Sequence, residues 1–234
     1  MRAPGAAEHP PVDVSTSNLS IIIPVGPGDG AWRELIEQLA NLTPRPQVIL
    51  VFAEGDAQST TAPSDVAVLS APPGRAHQLN AGIAAADGEW LWLLHADSRL
   101  LDDTWLALHS HLADAPRGIG WFRLAFTDDG PWLMTLNAFG ANLRARWMGL
   151  PFGDQGFVLH REDASCLGPF NPGLAYGEDH AMVWRAHRIG LPLQPINATL
   201  ATSARKYAEH GWLRTTLTHL RLTAAQARLE SRRA

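Results

Sequence analysis

The 234-residue sequence contains one cysteine, Cys166. A single thiol excludes an internal disulfide and every multi-cysteine zinc or iron–sulfur site, and it is compatible with a reducing cytoplasm. There is no basic excess. The 19 Lys and Arg against 23 Asp and Glu leave a formal charge of −4, so the electrostatic footprint of a nucleic-acid partner is missing and none is expected. No apolar run approaches the roughly 20 residues of a membrane-spanning helix. The longest, Leu19–Val25 and Trp90–Leu94, are far shorter, and Ser20 and Pro24 interrupt the first. The opening MRAPGAAEHPPVDVSTSN lacks the continuous apolar core of a signal peptide. Its Pro, Ala and Ser content reads as a disordered extension over residues 1–18. Also absent are a G-x-G-x-x-G turn, a P-loop, a G-x-S-x-G elbow and, despite ten histidines, any H-E-x-x-H spacing. Nicotinamide, P-loop, serine-elbow and zinc-peptidase readings go with them.

A hydrophobic fraction of 46% is enough to bury a core, and with no Pro/Gly/Ser linker to divide the chain, residues 19–234 read as one domain. Buried strands are expected at Leu19–Val25, Val48–Ala53, Asp65–Ser70 and Glu89–His95. Helices are expected at Ala31–Leu42, where Trp32, Leu35, Ile36, Leu39 and Leu42 follow helical spacing, and at Arg75–Ala86 and Leu101–Leu112. Strand and helix alternating over short connections argue for an α/β fold with a mostly parallel sheet, whose ligand edge lies at the C-terminal ends of the strands. The second half is less regular. It yields strands at Ile119–Phe126 and Gly156–His160, helices at Trp132–Met148 and Glu178–Ile189, and a long amphipathic helix at His210–Arg232.

Several clusters fall at strand ends or helix starts. His95-Ala96-Asp97-Ser98 follows an apolar strand; Asp97 either holds Mg2+ or Mn2+ together with a diphosphate or caps a turn, and spacing alone does not choose. Arg75 opens a helix, where its fork and the helix dipole suit a phosphate, although a lone Arg there is more often a solvated surface residue. Gly153-Asp154-Gln155-Gly156 places a carboxylate and an amide in a tight turn. Glu178 and Asp179 sit at a helix start, where acids complement the dipole and where one carboxylate can take a proton from a hydroxyl.

Taken in order, SIIIPV, VILVFAEG, GRAHQLNAG, WLWLLHADSRL, PFGDQGFVL, YGEDHAMVWRAHRIG and TSARKYAEHGWLRTT resemble glycosyltransferase family 2, most closely a bacterial subgroup of small soluble enzymes with HAD in place of D-x-D. The resemblance runs from about Leu19 to Leu222. It implies a GT-A fold with a mostly parallel central sheet flanked by helices and a C-terminal amphipathic helix. It also implies a nucleotide-diphosphate-sugar donor, Mn2+ or Mg2+, and inversion at the anomeric carbon. Carried over residue by residue, Asp97 matches the metal-binding aspartate and His95 stands at the first position of that motif. Asp179 matches the catalytic base, with Glu178 beside it. Asp154 and Gln155 match a segment near the acceptor, and Arg75 and Asn80 match the donor-side helix. Arg205 is a second candidate for the leaving diphosphate. Two stretches depart from the family pattern. After Pro24 the P-x-x-N-E segment is replaced by Val25-Gly26-Pro27-Gly28-Asp29, and the second strand ends without its usual Asp, leaving Glu54 as the substitute.

Two other functions compete. A nucleotidyltransferase of related fold would carry a Lys/Arg-bearing glycine loop after the first strand, which Gly26-Pro27-Gly28-Asp29-Gly30 is not. A degenerate sugar-nucleotide-binding protein would explain the two departures but not the retention of both Asp97 and Asp179. The C-terminal helix, with leucines among Arg214, Arg221 and Arg228, packs on its own core, forms a homodimer contact, or lies on the inner face of a membrane near a lipid-linked acceptor.

Overall fold

The computed structural model describes residues 18–174 and 176–231. Apart from Asn18, the extension expected over residues 1–18 lies outside the described residues. Asn18 itself is ordered: its amide donates to Glu89 Oε2 at 2.6 Å and its carbonyl oxygen accepts from Glu89 N at 2.9 Å.

Eight strands form one curled sheet among the described residues: β1 (Leu19–Val25), β2 (Gln47–Ala53), β3 (Ala67–Ala71), β4 (Trp90–Leu93), β5 (Ser98–Leu100), β6 (Ile119–Phe126), β7 (Phe157–His160) and β8 (Leu193–Thr202), in the order β3-β2-β1-β4-β7-β6-β8-β5. The β3-β2-β1-β4 half is parallel, as the alternation of strand and helix requires. Beyond it β7 runs antiparallel to both β4 and β6, β8 is parallel to β6, and β5 is antiparallel to β8. The helices are α1 (Trp32–Ala40), α2 (Arg75–Ala85), α3 (Thr104–Ala113), α4 (Met134–Met148), α5 (Arg161–Leu167), α6 (Glu178–Arg188), α7 (Arg205–His210) and α8 (Trp212–Ser231).

The sheet is buried on both faces because successive side chains of a strand point to opposite sides. Ile21, Ile23, Leu50, Phe52 and Trp92 join Trp32 and Leu35 of α1 and Leu108 of α3 in one core. Ile22, Ile49, Val51, Leu91 and Leu93 join Leu79 of α2 and Met182 and Val183 of α6 in the other. Gln78 is a polar residue placed among these apolar ones. Buried on α2, its amide donates to Val25 O and Val51 O, both at 2.7 Å, and so pins the ends of β1 and β2 to the helix.

Four expectations are corrected in detail. β4 ends at Leu93, so His95 lies in the turn beyond the strand. The helix expected from Trp132 starts at Met134. The helix expected from His210 starts at Trp212, after Gly211, whose φ of 83° is left-handed, and a separate unread helix, α7, precedes it. β8 went unread because Pro195 and Asn197 interrupt its pattern; the proline falls where the β6–β8 register shifts past Trp121, a bulge that tolerates the missing N–H.

Candidate active site

The site is built where the parallel half of the sheet meets its antiparallel half. After β4 the chain turns tightly: Ser98 N donates to His95 O at 3.1 Å and His95 N donates to Ser98 Oγ at 3.1 Å. This turn projects Asp97, whose Oδ1 accepts from the Thr202 hydroxyl at 3.2 Å because β5 pairs Ser98 with Thr202 of β8. Asp97 lines a cleft of about 610 Å³ together with Gly30, Arg99, Asp128, Asp129 and Arg205. Arg205 crosses to Asp29 at 3.3 Å, an ion pair between the first loop and the start of α7. That hydrogen bond and charge hold the guanidinium's pKa above its ordinary value. Asp129 braces the same wall: its carboxylate accepts from the Ser203 hydroxyl at 2.5 Å and from Ala204 N at 2.8 Å.

A second group forms where α2, α6 and the 153–155 turn converge. Gly177, at φ 78°, starts α6 so that Glu178 and Asp179 open its first turn. Arg75, at the start of α2, lies 3.5 Å from Glu178 and 3.4 Å from Asp179. The Asp179 Oδ2 also accepts from Gly153 N at 3.0 Å. Only glycine permits this approach: a Cβ at position 153 would stand 2.0 Å from that oxygen. Burial pushes the Asp179 carboxyl up, but Arg75, the neighbouring His95 and hydrogen bonds outweigh it, and the group is held below the usual carboxylate range. Glu178 moves the other way, raised by burial and by the charge of Asp179. The two adjacent acids therefore differ in kind: Asp179 is an ionised carboxylate at neutral pH, and Glu178 binds its proton more tightly.

Two further polar atoms face this region sealed from solvent and without hydrogen-bond partners: Asp154 Oδ1 and His95 Nε2. Burial raises the Asp154 carboxyl to about 6, against Arg144 and with Asp179 and Asp97 adding to the rise. Burial and Arg75 lower His95 to about 4, so its ring is neutral near pH 7.

Some residues singled out from the sequence have their hydrogen bonds inside the fold. The Asn80 amide pairs with the Phe170 backbone in both directions at 2.8 Å. Gln155 accepts from Phe152 N and donates to Phe122 O, both at 3.1 Å, holding the turn that carries Asp154. Pro24 is buried within β1, and Glu54 is exposed just past β2. Sequence reading did not find Arg144 or Tyr207. The Arg144 guanidinium carbon lies 3.5 Å from the Phe152 ring centroid and its Nε donates to Leu150 O at 2.9 Å. Tyr207 hydrogen-bonds His219 Nδ1 at 3.0 Å. Arg144 sits in none of the motifs and Tyr207 lies in the TSARKYAEHGWLRTT stretch without an assigned role; only tertiary packing brings either charge or hydroxyl toward Asp154.

Among the described residues no three acids, histidines or cysteines converge to hold a metal ion. Asp97 instead offers one carboxylate at the edge of an open, polar cleft, one oxygen engaged by Thr202. That donor set fits Mg2+ or Mn2+ held jointly with a diphosphate and water, the usual habit of these ions.

Comparison with known proteins agrees with this geometry. Residues 33–171 match Glycosyl transferase family 2. No curated protein matches the sequence. Among solved structures, residues 1–349 of TarS from S. aureus are similar at a TM-score of 0.61 and 13% identity, over 80% of this chain and 60% of that one. The mannosyltransferase PcManGT from Pyrobaculum calidifontis, in complex with GDP-Man and Mn2+, is similar at 0.60 and 18% identity, over 90% of this chain and 64% of that one. Glucosyl-3-phosphoglycerate synthase from Mycobacterium tuberculosis, in complex with Mn2+, UDP and phosphoglyceric acid, gives 0.58 and 17%, over 83% of this chain and 73% of that one. The chain thus spans about 60% of the TarS fragment and 64% of PcManGT. The family match covers more than half of the sequence and the sheet is that of the GT-A enzymes: this chain belongs to glycosyl transferase family 2.

Proposed function

We propose that this chain transfers a sugar from a nucleotide-diphosphate donor to an acceptor hydroxyl with inversion at the anomeric carbon. The observation that carries the reading is the environment of Asp179: a carboxylate kept ionised by Arg75 and fixed in direction by the Gly153 N–H. Such a group is poised to accept a proton from an acceptor hydroxyl. The hydroxyl oxygen then bonds to the anomeric carbon as the bond to the diphosphate breaks on the opposite face. The nucleoside diphosphate leaves, the proton rests on Asp179, and no covalent sugar–enzyme intermediate forms.

The donor diphosphate is assigned to the Asp97 cleft, with Arg205 on its rim and the 26–30 loop at its side. Asp97 would hold a divalent cation, which when bound neutralises the charge developing on the leaving diphosphate. Arg205, tethered to Asp29, supplies fixed positive charge at the same mouth. Asp154 and Glu178, both raised in pKa and flanking the base, are assigned to hydrogen bonds with the acceptor's remaining hydroxyls. The complexes of the fold relatives with GDP-Man and Mn2+ and with UDP and Mn2+ support the donor class.

The test is thermal stability against UDP, GDP, ADP, CDP and TDP, each with and without Mn2+. A ligand at about 100 times its Kd stabilises the fold by about 2.7 kcal/mol. One nucleotide stabilising only with metal, in a manner lost in Asp97→Ala, is the expected outcome. A panel in which no nucleotide shifts the midpoint overturns the donor assignment.

A further inference from the structure

Fourteen large hydrophobic side chains are exposed among the described residues, and nine of them lie on α4, on α8 or in the turn before α4. On α4, Leu136, Phe139, Leu143 and Trp147 recur at helical spacing along the outward side, opposite the buried Met134 and Ala145. Trp132, just before the helix, and Trp147, near its end, are each 79% exposed. On α8, Leu213, Leu217 and Leu220 form a second outward stripe. The two helices meet at Asn137, which accepts from Trp212 Nε1 and donates to the Thr216 hydroxyl, both at 3.0 Å. On α8 the side facing α4, the leucine stripe and the arginines follow one another round the axis.

Arginines flank the leucine stripe of α8. Arg214, Arg221 and Arg228 recur every seven residues, a column on the order of 70° round α8 from the leucines. Arg146 is exposed on α4. Neither Met134–Met148 nor the stretch 212–228 contains an acidic residue. The one acid in either helix is Glu230, at the far end of α8. Arg214 and Arg221 repeat on one side of α8, so a two-fold contact of this face with a second copy would concentrate like charge. An apolar stripe flanked by arginines and ended by tryptophans is instead complementary to a lipid surface with anionic headgroups.

We propose that the α4–α8 face docks this protein on a bilayer bearing anionic headgroups. The aromatic and leucine side chains enter the interface and the arginine column meets headgroup phosphates. None of the described helices is long and apolar enough to cross a membrane, so this is attachment in the plane of the interface. Docking would also orient the proposed site, because Gln226 of α8 donates to the Gly177 carbonyl, immediately before Glu178 and Asp179.

The test is flotation of the full chain with phosphatidylcholine vesicles and with phosphatidylcholine–phosphatidylglycerol vesicles, together with sedimentation of the free protein. The chain is expected to float with the anionic vesicles, to be released by salt, and to bind about tenfold more weakly or less in a Phe139→Ser, Leu217→Ser double variant, since each lost side chain removes a large buried apolar area. Arg214→Gln with Arg221→Gln should reduce binding to the anionic vesicles alone. Both variants change exposed side chains, and unchanged thermal melting confirms their fold. Absence of flotation, equal flotation of the double variant, or a dimer that the double variant dissociates would each overturn the proposal. Vesicle binding needs neither donor nor metal, so its failure leaves the proposed reaction standing, and the reverse holds.

Discussion

Replacing Asp154 by Asn should make the free protein more stable at pH 8 and less active. Asp154 Oδ1 is sealed from solvent without a partner, and its carboxyl is raised from 3.8 to about 6. The folded chain therefore binds this proton more tightly than the unfolded chain does. A raised carboxyl contributes stability that is fully present below the unfolded value near 3.8 and is lost as pH rises through about 6. At 1.36 kcal/mol per pH unit, an ionised Asp154 costs the fold about 3 kcal/mol by pH 8. Asn has nearly the same shape and no charge, so Asp154→Asn relieves that cost. For a chain of this length each kcal/mol moves Tm by about 2–4 °C, giving an expected rise of about 6–12 °C at pH 8. The gain should shrink between pH 6 and pH 4 and vanish below. The assay is thermal melting of both proteins across that range, without nucleotide or metal, beside a donor-turnover measurement at pH 8. A Tm difference that is independent of pH, or an Asn variant less stable at pH 8, would refute the reasoning. Full activity in the variant would remove Asp154 from the acceptor side of the site.

Three other perturbations probe the same architecture. Asp179→Asn keeps the shape but removes the proton acceptor, and sugar transfer should fall about 10²- to 10⁴-fold while metal-dependent nucleotide binding persists; a titration of the wild type should place the acid limb of the rate below the ordinary carboxylate range, because Asp179 is held down by Arg75. In Gly153→Ala the new Cβ would stand 2.0 Å from Asp179 Oδ2, so activity should drop at least about tenfold through a misaimed base, and nucleotide affinity measured by calorimetry should stay within a factor of two or three of wild type, roughly the limit of a local change. Gln78→Leu strands the Val25 and Val51 carbonyls, and denaturant unfolding should show a loss of about 2–4 kcal/mol; an unchanged midpoint would mean that water or the strand ends repair the bonds.

The sequence by itself determined the parallel half of the sheet and its two-sided core. Runs such as LSIIIPV and QVILVFA are apolar on both alternating faces but for Ser20 and Gln47, as a strand covered on both sides requires, and Trp32, Leu35, Ile36 and Leu39 mark the helix that covers one of them. It also singled out Asp97, Asp154, Glu178 and Asp179 as candidates, because each opens a turn or helix next to a glycine or at a strand end, where local chemistry is visible in order. The antiparallel half was legible only in part: β6 and β7 were read, β5 and β8 were not. β8 carries a proline at a bulge, β5 is three residues long, and neither has a period to read. Which side chains meet was decided by the tertiary structure alone. Arg75 and Asp179 are 104 positions apart, yet lie at 3.4 Å. Arg205 and Asp29 are 176 apart and close the rim of the cleft. Asn80 and Gln155, plausible ligands by position, spend their amides on backbone groups brought from elsewhere. Ionisation follows the same rule. Glu178 and Asp179 are chemical near-equals in sequence, and burial, the placement of Arg75 and His95 and the contact between the two acids drive their proton affinities apart. Local sequence fixes what a segment can form and which groups it carries; desolvation and charge act through space, so the work those groups do is settled when distant segments pack.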